Sequence, residues 1–173
     1  MLQILRIGPY SIYFWSNEGD PLEPIHVHIS EGRATNTATK LWITSTGKVI
    51  VCNNNSQIPD KILRRLVRTV EANSAEIIDE WLNDSNPNTR RAVTEGLRIW
   101  TNKPYFKENP IEAIKRLSNL KQDNSEYVRK SVGNALRDIS KKYPKLIETE
   151  LNNWNLEIKE IKQVYKLASK FIK

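Results

Sequence analysis

The chain has 173 residues, 39% hydrophobic and 27% charged, a composition typical of a protein that folds into one or two packed domains. No apolar run approaches the roughly 18 residues of a membrane span, the start lacks a signal-peptide pattern, and Cys52 is the single cysteine. We therefore expect a cytoplasmic protein with no membrane contact, no disulfide framework and no cysteine-based zinc site.

The net charge of +7 is unevenly distributed along the chain. Residues 1–82 carry a net charge of −1 and residues 83–173 a net charge of +8, so the whole excess lies in the second half. Such asymmetry is typical of a neutral module joined to a module that faces a polyanion. A lysine-rich solvated surface explains the same charge equally well.

The first half is predicted to form a small sheet followed by helices. Strands are expected in ILRIGPYSIYFW, which Gly8-Pro9 interrupts, and in IHVHIS, KLWITS and KVIVC. In IHVHIS the apolar residues alternate with histidines, so Ile25, Val27 and Ile29 are expected to be buried on one face. From Ile58 the apolar period becomes helical, and a second helical run, AEIIDEWL, ends near Leu82.

The second half contains an internal repeat with a period of 39 residues. The segment DSNPNTRRAVTEGLRI, which starts at Asp84, matches the segment DNSEYVRKSVGNALRDI, which starts at Asp123. Amphipathic helices are predicted after each copy, and IKEIKQVYKLASKFIK is expected to be a degenerate capping copy. A helical period near 40 residues is typical of HEAT-type solenoids.

The predicted fold class is therefore α+β. A small β-sheet and helix domain is expected over residues 1–81 and HEAT-like helical repeats over residues 82–173, with the boundary near Trp81 to Asn86. Within the repeats, Asp84 and Arg90 recur as Asp123 and Arg129. We expect these matched residues to form polar ladders between repeats rather than a site.

The first half resembles the bacterial domain of unknown function 4160. The resemblance rests on ILRIGPYSIYFWSNEG, PIHVHI, KLWI and a helix that ends in EW. It implies no reaction. It does imply a small protein partner, because members of the family often lie beside small proteins in arrangements that look like toxin–antitoxin pairs.

The second half resembles the HEAT-like DNA alkylation repair proteins, the alkylpurine DNA glycosylases of the AlkC and AlkD type. The resemblance rests on NPNTRRAVTEGLRIW and DNSEYVRKSVGNALRDISKKYP and looks strongest toward the AlkC branch. It covers about ninety residues, roughly half the repeats with which such enzymes wrap DNA. It implies DNA binding, with or without residual excision of N-alkylated purines.

Basic stripes are predicted on equivalent helices of the two copies. Arg91 and Arg98 share one helix face in the first copy, and Lys130, Arg137 and Lys141 share the equivalent face in the second. Together they are expected to form one wall that binds DNA phosphates, with no pattern that reads bases.

Glu95 and Asp138 are the candidate catalytic residues. Cleavage of the bond between sugar and alkylated base needs a carboxylate that stabilises an oxocarbenium-like state and orients a water molecule. Trp100 and Trp154 are candidates for an aromatic lining around the sugar or base. The alternatives are surface ion pairs for the two carboxylates and core filling for the two tryptophans. Glu95 would pair with Arg91 or Arg98, and Asp138 with Arg137 or Lys141.

His26 and His28 lie two residues apart on a strand and are expected to be exposed on the face opposite the apolar residues. Contact with a partner, or simple coverage of the sheet, is favoured over metal binding. Asp20, Glu23 or Cys52 is a conceivable third ligand, but no spacing requires one. No glycine-rich phosphate loop or zinc signature is present, so we expect no cofactor.

Two functions of different classes remain open at this point. One is a DNA-binding module related to alkylpurine glycosylases, with or without base-excision activity. The other is a non-enzymatic protein that recognises a small partner through the first half and uses the repeats as a scaffold.

Overall fold

The computed structural model describes residues 2–15, 25–44, 47–100 and 109–172, except for the side chains of residues 98–100. The chain divides into two compact units, Met1–Ala92 and Val93–Lys173, and the division falls inside a helix. In the described ranges no helix is both long and apolar enough to cross a membrane. The module boundary expected near Trp81 to Asn86 stays a prediction.

The first unit is built on an antiparallel sheet. Among the described residues its five strands lie side by side in chain order. They are β1 (Leu2–Ile7), β2 (Tyr10–Phe14), β3 (His26–Glu31), β4 (Thr39–Ile43) and β5 (Val49–Asn53). Gly8 adopts a φ of 58° in the turn between β1 and β2, a conformation that glycine tolerates best. The strands predicted in chain order are thus confirmed.

Two helices follow the sheet in this unit, α1 (Asp60–Ala72) and α2 (Ser74–Leu82). Helix α1 buries Leu66 and Val70. Trp81 at the end of α2 is 1% exposed, and its ring centroid lies 4.9 Å from that of Phe14 on β2. Aromatic packing therefore fixes α2 to the sheet.

Both faces of β3 are buried, which corrects the exposure expected for its histidines. The apolar residues of the alternation are fully buried, as expected: Ile25, Val27 and Ile29. However, His26 is 0% and His28 8% exposed. Their rings share a face, with centroids 5.1 Å apart, and contact Trp81 at 5.3 Å and Tyr13 at 5.8 Å respectively. The alternation predicts the two faces correctly, but aromatic rings from other elements cover the second face.

The second unit is helical throughout its described residues. Its helices are α3 (Pro87–Trp100), which begins in the first unit, α4 (Pro110–Asn119), α5 (Glu126–Ser140), α6 (Pro144–Leu151) and α7 (Lys159–Ala168), and a short 3-10 turn (Ser169–Phe171) follows. Pro110 and Pro144 begin α4 and α6, where the absent N–H removes no helical hydrogen bond. Leu117, Val132 and Val164 are among the fully buried core residues.

Helices α5 and α7 lie side by side and run in the same direction. Near their starts, Gln163 Nε2 donates to Glu126 Oε1 over 3.2 Å. At their ends, Lys141 Nζ lies 5.2 Å from the centroid of the Phe171 ring. This is the stacking expected of equivalent helices in successive HEAT-like repeats, with α7 in the position of a third copy.

Candidate nucleic-acid interface

The matched Asp–Arg pair closes the start of α5 and links it to the next helix. Asp123 Oδ1 accepts a hydrogen bond from the Ser125 N–H over 2.8 Å. Arg129 Nη1 donates to the carbonyl oxygens of Asp123 and Asn124, at 2.6 and 3.2 Å. Arg129 Nε also donates to Gln163 Oε1 of α7 over 2.9 Å. This last bond is a polar contact between repeats, of the kind expected for the matched arginine.

The first copy forms the same bonds around the start of α3. Asp84 Oδ1 accepts from the Asn86 N–H over 2.7 Å. Arg90 Nη1 donates to the carbonyl oxygens of Asp84 and Ser85, at 2.6 and 3.0 Å. The 39-residue repeat is therefore present in the hydrogen bonding as well as in the sequence. These side chains have a structural role, since they satisfy carbonyls before each helix.

The predicted basic stripe of α5 lies on the side of the helix away from the core. Lys130 and Lys141 are exposed, and Arg137 is half-buried. Residues separated by seven and eleven positions lie within about 20° of one another around a helix of 3.6 residues per turn. Lys130 Nζ lies 2.8 Å from Glu126 Oε1 in an exposed pair within the helix, which contributes little to stability.

Asp138 lies beside this stripe and pairs with two of its cations. Its Oδ1 is 3.3 Å from Arg137 Nη2 and 3.1 Å from Lys141 Nζ. Partial burial by itself raises the pKa of Asp138, but the hydrogen bond from Lys141 and the charge of Arg137 outweigh it and hold this pKa below its ordinary value of 3.8. The ion pairs weighed as an alternative for Asp138 are therefore present.

Glu95 of α3 is half-buried and is held by a side chain of α5. Ser131 Oγ donates to Glu95 Oε1 over 2.8 Å. Thr94 Oγ1 lies 2.5 Å from the same serine oxygen, in a buried contact. The carboxylate is thus positioned at a contact between equivalent helices of the two copies, next to neutral hydroxyl groups.

A second basic stripe follows α7 and was not predicted from the sequence. Four lysines at positions i, i+3, i+7 and i+11 lie on one helix face and are all exposed: Lys159, Lys162, Lys166 and Lys170. Among the described residues, no acidic side chain forms an ion pair with any of the four. The spacing of these lysines is visible in the sequence, but they lie outside the two aligned copies of the 39-residue repeat.

The two stripes flank the line of contact between α5 and α7 on its solvent side. On α5 the stripe is centred about 80° around the helix from Arg129 and Gly133, which contact α7, and lies opposite the buried Val132. On α7 the lysines are centred at a similar angle from Gln163 and Leu167. The two stripes form one surface, which we call the basic face: Lys130, Arg137, Lys141, Lys159, Lys162, Lys166 and Lys170.

The structure gives less information on the remaining candidate site residues of the first copy. Arg91 is half-buried on the part of α3 that belongs to the first unit, so its place in a common wall stays a prediction. The side chains of Arg98 and Trp100 lie outside the described residues.

Trp154 belongs to the core of the second unit, which favours core filling over an aromatic lining. The residue is 7% exposed, and its indole Nε1 donates to Glu150 Oε1 over 3.1 Å. Lys121 Nζ covers the ring at 5.7 Å from the centroid. The ring therefore has little surface left for a sugar or a base.

The histidine pair has no metal-binding set around it in the described part of the chain. There, no three His, Cys, Asp or Glu residues are grouped in a way that could hold a metal ion. Cys52 is exposed on β5. Asp20 and Glu23, the other conceivable ligands, lie outside the described residues. Contact of His26 and His28 with a partner stays a prediction, which their burial now disfavours.

The chain has relatives of unassigned function. Residues 10–82 match the family described as domain of unknown function DUF4160. The chain is 40% identical over 78 residues to the uncharacterized protein YhaZ of Bacillus subtilis strain 168, a match that covers 43% of this chain and 22% of that protein. The chain thus corresponds to about a fifth of this curated relative.

Solved structures of AlkD2 and AlkC are similar to this chain. The chain is similar to AlkD2 from Streptococcus mutans, with 66% identity and a TM-score of 0.57, over 66% of this chain and 54% of that one. It is also similar to the Pseudomonas fluorescens alkylpurine DNA glycosylase AlkC bound to DNA that contains an abasic site analog, with 28% identity and a TM-score of 0.51, over 62% of this chain and 31% of that one. Both resemblances seen in the sequence, and the α+β class with HEAT-like repeats, are confirmed. The expected leaning toward AlkC is wrong, because the identity is 66% with AlkD2 and 28% with AlkC.

Proposed function

We propose that this chain binds duplex DNA through the basic face and contacts the phosphate backbone without reading the base sequence. The observation that carries the proposal is a pair of parallel helices that, with the residues just after them, present seven cations to one solvent side. Four of these are lysines that form no ion pair within the described part of the chain. The similarity to AlkC, whose solved structure contains DNA, supports DNA as the polyanion.

The dimensions of the α7 stripe suit a phosphate backbone. At 1.5 Å per residue, the eleven steps from Lys159 to Lys170 span about 16 Å. That length corresponds to about five phosphates along the axis of one DNA strand. Lysines are flexible point charges without the planar fork of arginine, so they favour electrostatic contacts to the backbone over base readout.

The proposal includes Arg91 and Arg98, which occupy the positions of the first copy that match Lys130 and Arg137. Their contribution rests on the repeat in the sequence. Each phosphate that a cation neutralises releases condensed counterions, so affinity falls as salt rises.

The direct test is fluorescence anisotropy with the purified chain and two labelled duplexes of unrelated sequence. Equal affinities that decrease with added salt are expected, because backbone contacts carry no sequence information. Absence of binding to both duplexes at low salt would reject the proposal. The remaining function would then be recognition of a small protein through the first unit, with the repeats as a scaffold.

We further propose that any base excision by this chain depends on the carboxylates of Glu95 and Asp138. In such a reaction water adds to the sugar C1′ and loses a proton to a carboxylate or to solvent, while the bond to the N-alkylated base breaks and the base leaves as a neutral molecule. Ser131 holds the Glu95 carboxylate in place, and Arg137 and Lys141 hold that of Asp138.

Excision is tested by measuring the release of methylated purines from DNA. If the chain releases them, Glu95→Gln should abolish release and leave DNA affinity unchanged or slightly tighter, since it removes a charge that repels phosphate. Asp138→Asn should likewise retain binding and lose release. Binding without release by the unchanged chain would limit the function to DNA binding.

A further inference from the structure

A cavity of about 610 Å³ lies on the sheet of the first unit, beside the β1–β2 hairpin. This volume falls within the range of small-molecule sites. Arg6 of β1, Trp15 at the end of β2, and Arg33 after β3 contribute its charged and aromatic lining. None of these residues belongs to the basic face, so the cavity is distinct from the proposed DNA-binding surface.

The wall of this cavity is held in place by hydrogen bonds from β2. Ser11 Oγ donates to the Gly32 carbonyl oxygen over 2.8 Å. The hydroxyl of Tyr13, a fully buried residue, donates to the Thr35 carbonyl oxygen at 3.1 Å and accepts from the Thr35 N–H at 3.0 Å. Gly32 adopts a φ of 74°, which other residues rarely reach. The loop after β3 is therefore preorganised rather than formed only around a ligand.

The lining combines two unpaired cations with an aromatic ring. Arg6 and Arg33 are exposed, and neither forms an ion pair with an acidic side chain in the described part of the chain. The Trp15 ring is half-buried and packs edge-on against Tyr13, with centroids 5.7 Å apart and planes at 87°. The indole is thus oriented by a neighbour that is itself hydrogen-bonded to the loop.

We propose that this cavity, which we call the hairpin pocket, binds a mononucleotide. The base would stack on Trp15, and Arg6 and Arg33 would hold the phosphate. Guanidinium groups match phosphate oxygens in bidentate geometry, and base–aromatic stacking adds about 1–3 kcal/mol per base. A phosphate at neutral pH carries a charge of about −1.5 to −2, which two arginines balance.

The test uses the full chain with ¹⁵N-labelled tryptophan and adenosine 5′-monophosphate as the probe. A saturable shift of the Trp15 indole signal is expected. Adenosine alone and inorganic phosphate alone should each bind at least about tenfold more weakly, because each keeps only one of the two contacts. Calorimetry should show that Trp15→Ala and Arg33→Gln weaken the nucleotide at least about tenfold, whereas Trp15→Phe retains most of the affinity because the ring remains.

Two control variants locate the binding. Arg64→Gln with Arg68→Gln removes two exposed cations from α1, and Lys162→Ala with Lys166→Ala removes two from the basic face. Both should leave nucleotide affinity unchanged. The proposal is overturned if no signal saturates at millimolar nucleotide, or if phosphate alone binds as tightly as the nucleotide. It is also overturned if the double lysine variant loses nucleotide binding while Trp15→Ala retains it. If the double lysine variant loses DNA binding, that loss tests the basic face and does not change the conclusion about the hairpin pocket.

Discussion

Arg129 and Lys130 are neighbours in the sequence but have opposite surroundings. Successive residues of a helix point about 100° apart, so one reaches the repeat junction and the other reaches solvent. Arg129 donates to the carbonyl oxygens of Asp123 and Asn124 and to Gln163, whereas Lys130 is exposed and pairs with Glu126 on its own helix. One cation therefore stabilises the stack and the other is available for a ligand.

Replacing Arg129 with alanine should lower the free energy of unfolding by about 1–3 kcal/mol, since it leaves part-buried carbonyls without a donor. Lys130→Ala is the matched control and should change that free energy by less than about 0.5 kcal/mol, as expected for an exposed residue. Urea denaturation measures both. Similar losses in the two variants would contradict the structural role of Arg129.

The lowered pKa of Asp138 predicts how the stability of the fold changes at acidic pH. Its pKa is lowered in the folded chain, because the Lys141 hydrogen bond and the Arg137 charge outweigh partial desolvation. A lowered carboxyl pKa stabilises the folded state above the unfolded value of 3.8, and this contribution is lost as pH falls through the folded value.

The stability of the unchanged chain should therefore fall more steeply below about pH 4 than that of Asp138→Asn, whose side chain does not titrate. Thermal denaturation across this pH range measures the difference between the two proteins. Parallel pH profiles would show that the ion pairs of Asp138 do not contribute to folding.

The contact between α5 and α7 depends on a glycine. A Cβ added at Gly133 would lie 2.7 Å from the Leu167 Cβ and 3.2 Å from the Val164 carbonyl oxygen. Glycine costs about 1 kcal/mol relative to alanine inside a helix, so its presence here is explained by the close approach of the two helices. This contact brings the two basic stripes next to each other.

Gly133→Ala should therefore destabilise the chain, although the same change stabilises most helices. Shortening the neighbour should relieve the clash, so Gly133→Ala combined with Leu167→Ala should lose less than the sum of the single changes. Urea unfolding of the three variants gives this coupling. A stabilising Gly133→Ala, or strict additivity, would show that the helices are not in close contact at this point.

The sequence predicts the strands and helices well. It predicts poorly which of their side chains are buried by residues from other elements. The alternation in IHVHIS correctly predicts the strand and the shared face of His26 and His28. Their burial could not be predicted, because Tyr13 and Trp81 reach them from distant positions in the sequence. Similarly, the repeat alignment predicts α3 and α5 but overlooks the lysines of α7, where only helical spacing remains.

The two compact units differ sharply in charge. Residues 1–92 carry no net charge, whereas residues 93–173 carry the whole net charge of +7. In the second unit, the basic face concentrates seven cations on α5, on α7 and just after their ends, and other exposed lysines lie elsewhere, such as Lys115 on α4 and Lys145 on α6. General attraction by net charge and specific docking on the basic face therefore predict different effects for different lysines.

The central claim is that the basic face is the surface that meets the DNA backbone. The most direct measurement is the slope of log affinity against log salt concentration for one duplex. Lys162→Ala with Lys166→Ala should make this slope shallower by about two units, roughly one for each lost phosphate contact. Lys115→Ala with Lys145→Ala, which removes the same charge from α4 and α6, should leave the slope unchanged. Equal changes for the two pairs would mean that net charge alone, and not the basic face, attracts the DNA.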